Sequence, residues 1–325
     1  MSGPPRAPNS LGVLIGHYTD RRGGTGCTVV LCPEGAVGGV AVRGGSPCTR
    51  ETDIFRPTAG RDPRVVHGVL LTGGSVFGLA ACDGVVRYLS ERGIGLDTGD
   101  ARIPIIGAAG LYDLGVGDAA ARPSPEAGQL ACADARGERI AEGSVGAGTG
   151  ATVGKALGME RCMKGGLGIA AVRLADGVAV QAAVAVNALG EVVDPATGEL
   201  VAGVRGSGRR RIQPIDELFG PGSPVPSSTN STIGVVITNA ALTKEEADEV
   251  AAGAHDGLAQ TIRPVHTRVD GDTLFVLSTG SGPRTGLSMF DVIAIQHAAT
   301  RAVAQAVLRG VRRATALAGI PACSG

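Results

Sequence analysis

Ser227-Ser228-Thr229-Asn230-Ser231-Thr232-Ile233-Gly234-Val235-Val236-Ile237 is the stretch on which the reading of this chain turns. A polar, proline-rich run precedes it, and an apolar, β-branched strand begins at once after it. A hydroxyl residue stands where that strand starts. An enzyme that cuts its own chain and uses the new N-terminal residue as nucleophile needs such a junction. It must be exposed and strained enough to break, and the hydroxyl must afterwards sit on a rigid element. Cleavage between Asn230 and Ser231 would free an α-amine of reference pKa about 7.7–8.0. That amine is a suitable general base for its own hydroxyl.

Working outward, Asp270-Gly271-Asp272 stands just before the next strand, 273–279. One reading is a plain turn, with Asp and Gly chosen for local hydrogen bonding. The other is a carboxylate pair that orients and tunes the Ser231 amine. A calcium loop is disfavoured, because the acidic series is not completed. Asn187 ends a strand read over 178–187, where an Asn ordinarily starts a turn. An amide or cation such as Asn187 or Lys155 also suits the stabilisation of a developing oxyanion. A buried Tyr112 would by itself signify packing.

Between these points, strands and helices alternate. Strands are expected at 11–16, 26–32, 36–42, 65–71, 167–174 and 233–238. Pro33-Glu34-Gly35 is expected to turn the second back on the third as a hairpin, and Ala175-Asp176-Gly177 to turn a later one. Ser75 reads as the N-cap of a helix over 76–91, since G-x-S-x-G fails at Phe77. Residues 124–137 read as a short helix. Thr243-Lys244-Glu245-Glu246 is a capping box that opens a helix to about residue 262. A last helix is expected from about Phe290 to Leu308. Arg50 and Glu51 read as structural ion partners. Residues 203–230, including Arg209-Arg210-Arg211, read as a linker. Such a mixture predicts a mixed sheet layered with helices.

Composition excludes several classes. The 325 residues are 43% apolar but only 2% aromatic, so Ala, Val, Leu and Ile must build the core. Thirty basic and thirty acidic residues cancel, and no nucleic-acid footprint is present. The seven cysteines are irregularly spaced, which argues against zinc and fits a reducing cytoplasm. No run approaches membrane-spanning length, and residues 1–10 carry no apolar signal core. Gly146 to Ala156 resembles a phosphate loop only superficially. Thr149 and Ala156 break that motif, and the dinucleotide fingerprint fails as well.

Several stretches together carry a resemblance: Gly26-Cys27-Thr28-Val29-Val30, Val42-Arg43-Gly44-Gly45, Thr49-Arg50-Glu51-Thr52-Asp53, the run from Leu71 to Ala80, and that from Gly146 to Lys155. Lys164-Gly165-Gly166-Leu167-Gly168, Ala185-Val186-Asn187, Asn230-Ser231-Thr232 and Asp270-Gly271-Asp272-Thr273 complete it. With these the chain resembles the β-aminopeptidase and L-aminopeptidase/D-esterase family of self-processing N-terminal-nucleophile hydrolases, nearest its nylon-oligomer (6-aminohexanoate-oligomer) hydrolase branch. The resemblance implies one catalytic domain over 1–325, an α/β chain folded as an αββα four-layer sandwich with the family's own connectivity. It implies autocleavage before Ser231 into 1–230 and 231–325. Ser231 would be the nucleophile and its amine the base. Asp270 and Asp272 would tune that amine. Asn187, Lys155 and Tyr112 would line the oxyanion and substrate side, with Lys164 competing for the place of Lys155.

The family implies no metal or organic cofactor, a small amide or peptide substrate, and a tetramer of processed protomers. Ser231 departs from the threonine of the nylon-oligomer branch. Asp270 and Asp272 depart from the serine/glutamate pattern of the aminopeptidase branch. An acyltransferase of the ornithine acetyltransferase kind, or a non-catalytic assembly module, are the alternative readings.

Overall fold

The computed structural model describes residues 11–59, 64–175, 177–206, 212–218, 220, 230–282 and 286–323. Asp176, Arg209-Arg210-Arg211 and the 221–229 part of the run before the junction lie outside the described residues. The elements that position the site are β1 (Leu14–Asp20), β2 (Thr25–Arg43), β3 (Val66–Thr72), α1 (Ala81–Ser90), β4 (Ile105–Gly110) and α2 (Pro125–Asp134). They continue with β5 (Gly166–Arg173), β6 (Ala179–Val186), β7 (Ile233–Thr238), α3 (Lys244–Thr261), β8 (Asp272–Ser278) and α4 (Met289–Arg312).

These strands pair in the order β5-β6-β7-β8-β2-β3-β4, with the short strand Thr49–Arg50 beyond β4 and with β1 on β2. β7 and β8 run parallel, as do β3 and β4; the other pairs are antiparallel. The expected hairpin of 26–32 on 36–42 does not form. β2 is one strand of 19 residues whose first half pairs with β1 and β3 and whose second half pairs with β8. Between them the register against β3 jumps from Leu31–Gly68 to Ala36–Val66. Gly35 sits there at φ +77°, a conformation open to glycine without strain. The proline and glycine therefore make a bulge that bends the strand instead of reversing it.

That bend folds the sheet over itself into two layers. Side chains alternate across each strand. Ile233, Val235 and Ile237 of β7 and Phe275 and Leu277 of β8 meet Val69 and Leu71 of β3 between the layers. On the opposite face, Val236, Leu274, Val276, Ala182 and Val184 pack under α3 and α4. Cys27, Val29, Leu31, Leu70, Ile106 and Ala108 pack under α1 and α2. The result is an αββα sandwich. Both faces of β7 are covered, so its six residues are all buried. Buried strands of this kind read as continuous apolar runs. Each large aliphatic side chain so buried contributes roughly 1.5–3 kcal/mol.

Local signals held where the chemistry was local. Thr243 accepts from Glu246 N and Glu246 reciprocates, which starts α3. Ser288 and Asp291 do the same for α4, which runs four residues past the expected end. Ser75 is not a cap. Gly74 occupies that place, and its N–H donates to the Asp113 carboxylate at 2.7 Å, so the turn is closed from another segment. Arg50 pairs with Asp83 at 2.7 Å. The described part of the 203–230 stretch is not featureless. Val204–Arg205 pairs with Ile212–Gln213, and Ile215 is buried beside Leu189 and Val204.

Candidate active site

The parallel pairing of β7 with β8 sets the site. Their first residues leave from the same end of the sheet, so residues 230–232 run beside residues 270–273. Asn230 forms a parallel bridge with Asp270. The Asn230–Ser231 junction is thus held in place, and it is buried: Asn230 is 2% and Ser231 4% exposed. The expectation of an exposed junction is not met: Asn230 bridges Asp270 and the Ser231 N–H is bonded to Asn187 O.

Ser231 Oγ lies 2.5 Å from the carbonyl oxygen of Asn230, the preceding residue. The Gly271 N–H donates to that same oxygen at 3.0 Å. A Cβ on Gly271 would lie 2.7 Å from Ser231 Oγ and 2.2 Å from Ser46 O, so only glycine lets the amide approach this closely. The Ser231 N–H donates to Asn187 O at 2.8 Å. Carbonyl, hydroxyl and an amide donor are therefore in register around one peptide bond.

The two carboxylates are not equivalent. Asp272 Oδ1 accepts the Thr232 N–H at 2.7 Å, and its Oδ2 faces the His266 backbone N–H at 3.1 Å and Nδ1 at 2.8 Å. Asp270 Oδ2 accepts from Thr267 N and Oγ1. Burial and the Asp272 charge beside it hold the Asp270 carboxyl above the usual carboxylate range. The motif turns the chain beside the junction: the Asp272 carboxylate holds the Thr232 amide that follows it, and the Asp270 carboxylate closes the local turn on Thr267.

Asn187, the residue just after β6, is fully buried. Its Oδ1 accepts from Lys155 Nζ at 2.8 Å and from Thr152 N at 3.0 Å, and its Nδ2 donates to Tyr112 O at 3.1 Å. Lys155 Nζ also reaches Asn187 O, the carbonyl that holds the Ser231 nitrogen. Burial pushes the Lys155 ammonium down to about 7 against the attraction of Asp270. Tyr112 meets the cluster through its backbone carbonyl.

Lys164 lies elsewhere. Its Nζ donates to the carbonyls of Thr149 at 2.7 Å and Ala151 at 2.6 Å, and so fastens the glycine-rich loop. The structure thus joins Ser231, Asn187, Lys155, Asp270 and Asp272, and sets Lys164 to bracing. Sequence reasoning missed Gly271 as a donor, since a backbone amide has no residue signature. It also missed His266 and Asp113, each of which acts on a partner in another turn.

Lys164 gives a stability test. Burial pushes it down to about 7, whereas in the unfolded chain it titrates near ~10.4. Between those values the unfolded state holds more protons, so unfolding free energy rises with pH. The urea midpoint is expected to climb from about pH 7 to about pH 9, and Lys164→Met should climb less. Equal slopes in the two proteins would contradict this.

The model of peptidase family S58 matches residues 11–322. An uncharacterized aminopeptidase of Mycobacterium tuberculosis is 42% identical, over 95% of this chain and 94% of its own length. A 6-aminohexanoate-oligomer endohydrolase of Paenarthrobacter ureafaciens is 33% identical, over 82% of this chain and 73% of its own. Among solved structures, a Burkholderia sp. β-aminopeptidase superposes with a TM-score of 0.70 at 22% identity, covering 100% of this chain and 93% of its own. The L-aminopeptidase D-Ala-esterase/amidase of Ochrobactrum anthropi gives 0.69 at 18%, covering 97% and 88%. That protein is described as a variant among the Ntn hydrolase fold.

Proposed function

The chain belongs to peptidase family S58, and from that premise we propose that Ser231 is the nucleophile of a self-processing peptide amide hydrolase. The observation that carries this is Ser231 Oγ at 2.5 Å from the Asn230 carbonyl oxygen, on which the Gly271 amide is already seated. Attack of Oγ on the Asn230 carbonyl carbon puts negative charge on that oxygen in a tetrahedral intermediate; as the C–N bond breaks, the hydroxyl proton ends on the Ser231 nitrogen and an ester remains. The Gly271 N–H faces that oxygen as an oxyanion donor. Hydrolysis of the ester separates 1–230 from 231–325 and leaves Ser231 with a free amine.

In the processed enzyme the amine takes the hydroxyl proton, Oγ attacks the substrate carbonyl, and the amine product leaves with a proton. Water then releases the acyl group. Asp270 and Asp272 hold the nitrogen electrostatically, and Lys155, aimed by Asn187, faces developing negative charge. The relatives support small amide substrates, both N-terminal residues of peptides and ω-amino acid oligomers. They favour hydrolysis over acyl transfer to an acceptor amine and over a non-catalytic assembly role. We place the enzyme in the cytoplasm as a tetramer of processed protomers in a single catalytic domain. Among the described residues, no helix is long and apolar enough to cross a membrane.

Intact mass of freshly purified protein under denaturing conditions tests the reading. Two species matching 1–230 and 231–325 are expected. One species of full length after long incubation would sink it.

A further inference from the structure

Asp272 is gripped from the side away from the junction by His266. The imidazole Nδ1 is 2.8 Å from Asp272 Oδ2, and a carboxylate accepts, so Nδ1 carries the hydrogen. The backbone N–H of the same residue donates to the same oxygen at 3.1 Å. Both contacts are made with His266 at φ +58°, a left-handed conformation that L-residues rarely adopt. Asn tolerates it better than most residues and Gly adopts it freely.

Behind His266 stands His255 of α3, ring edge to ring face at 4.8 Å between centroids. His255 Nε2 lies 3.0 Å from the Ala41 carbonyl. Burial pushes this ring down to about 4, so it backs His266 as a neutral group. His266 Nε2 and His255 Nδ1 are buried and find no partner among the described residues. The charged and titratable groups around the pair are Asp272 and Asp270 on the adjoining segment, His255 on α3 and Arg43 at the end of β2. A histidine kept only for packing has no need of a left-handed backbone that aims two donors at one carboxylate oxygen.

We propose that His266 is a positioning residue of this site, acting through Asp272. Its Nδ1–H fixes the carboxylate so that Oδ1 stays on the Thr232 amide and the charge stays one peptide from Ser231. Asp272 is then held by three N–H donors, two of them from His266. The inference rests on Ser231 as nucleophile, and the test keeps the two apart.

The chain is made by cell-free translation, so that time zero is defined, and appearance of the 231–325 fragment is followed by intact mass across a range of pH. His266→Gly keeps the backbone unstrained and removes the side-chain donor. His266→Asn restores a donor at the place of Nδ1. The glycine variant is expected to cleave about tenfold more slowly, with its acid limb moved up by about one pH unit, because a carboxylate that loses a donor ionises less readily. The asparagine variant should stay within about threefold of the parent with its limb in place.

The proposal is overturned if His266→Gly matches the parent in rate and limb. It is equally overturned if both variants slow alike, with lowered thermal midpoints and an unmoved limb, since His266 would then serve packing alone. Ser231→Ala runs beside them. Cleavage of that variant at the same bond would remove the nucleophile assignment itself, whatever the histidine variants do.

Discussion

Ser231→Ala is expected to remain a single species of 32.4 kDa and to hydrolyse small amides at least about 10⁴-fold more slowly than the processed parent. The two losses have one cause. The side chain that lies 2.5 Å from the Asn230 carbonyl oxygen is also the one that would attack substrate once the amine is free. Alanine removes Oγ and leaves the Gly271 donor and the Asn187 carbonyl in place. The fold should stay intact, because Ser231 is held through its backbone N–H. Ser231→Thr keeps a hydroxyl and is the control: it should process, at a rate lowered by its extra methyl in a buried space. Intact mass and a chromogenic amide read both outcomes. A Ser231→Ala chain that separates into fragments would show the nucleophile to lie elsewhere.

The second large effect is expected at Lys155. Lys155→Met in the processed enzyme should lower kcat/KM by about 10²–10³-fold, the typical cost of losing one donor to a developing oxyanion. The same change should raise the thermal midpoint, because burial of the ammonium opposes folding and methionine fills similar space without charge. Activity and stability then move in opposite directions, an outcome that simple misfolding cannot imitate. The pH profile adds a sign. If Lys155 serves as a cation, its ammonium, pushed down to about 7 by burial, should make kcat/KM decline as pH rises past that value. The methionine variant should lack that decline. A profile with the same alkaline limb in both proteins would assign the limb to another group.

Much of this was legible in the sequence where the determinants are close together. The 233–238 strand is buried on both faces and five of its six residues are β-branched, so its ends were readable. The α3 capping box needs only Thr243 and Glu246. The bend at Pro33-Glu34-Gly35 was misread because a hairpin and a bulge share the same residues. What decides between them is which strands lie alongside, and those are β3 and β8, far along the chain.

The site divides in the same way. Ser231, Asp270 and Asp272 stand at or just before strand starts, a position visible in sequence, although the residues alone leave a plain turn and a carboxylate pair both open. Asn187 had no distinctive signature as a turn residue, yet it is held by Thr152, Lys155 and the Tyr112 carbonyl. Ser75 looked like a cap because only its own turn was visible, while the actual partner, Asp113, comes 38 residues later and reaches the Gly74 amide.

The strand order carries a further consequence for a chain cut at Ser231. β7 and β8, both from the 231–325 segment, sit in the middle of the sheet, flanked by β6 on one side and β2 on the other. Six register pairs join β7 to β6 and seven join β8 to β2, all between the two segments. The smaller segment is therefore a wedge driven into the larger one, and it leaves only by unzipping both seams at once. A broken backbone costs such a molecule nothing in shape. The nicked protein behaves as one body whose two chains share a single unfolding transition, with its new amino terminus fixed as rigidly as any interior residue.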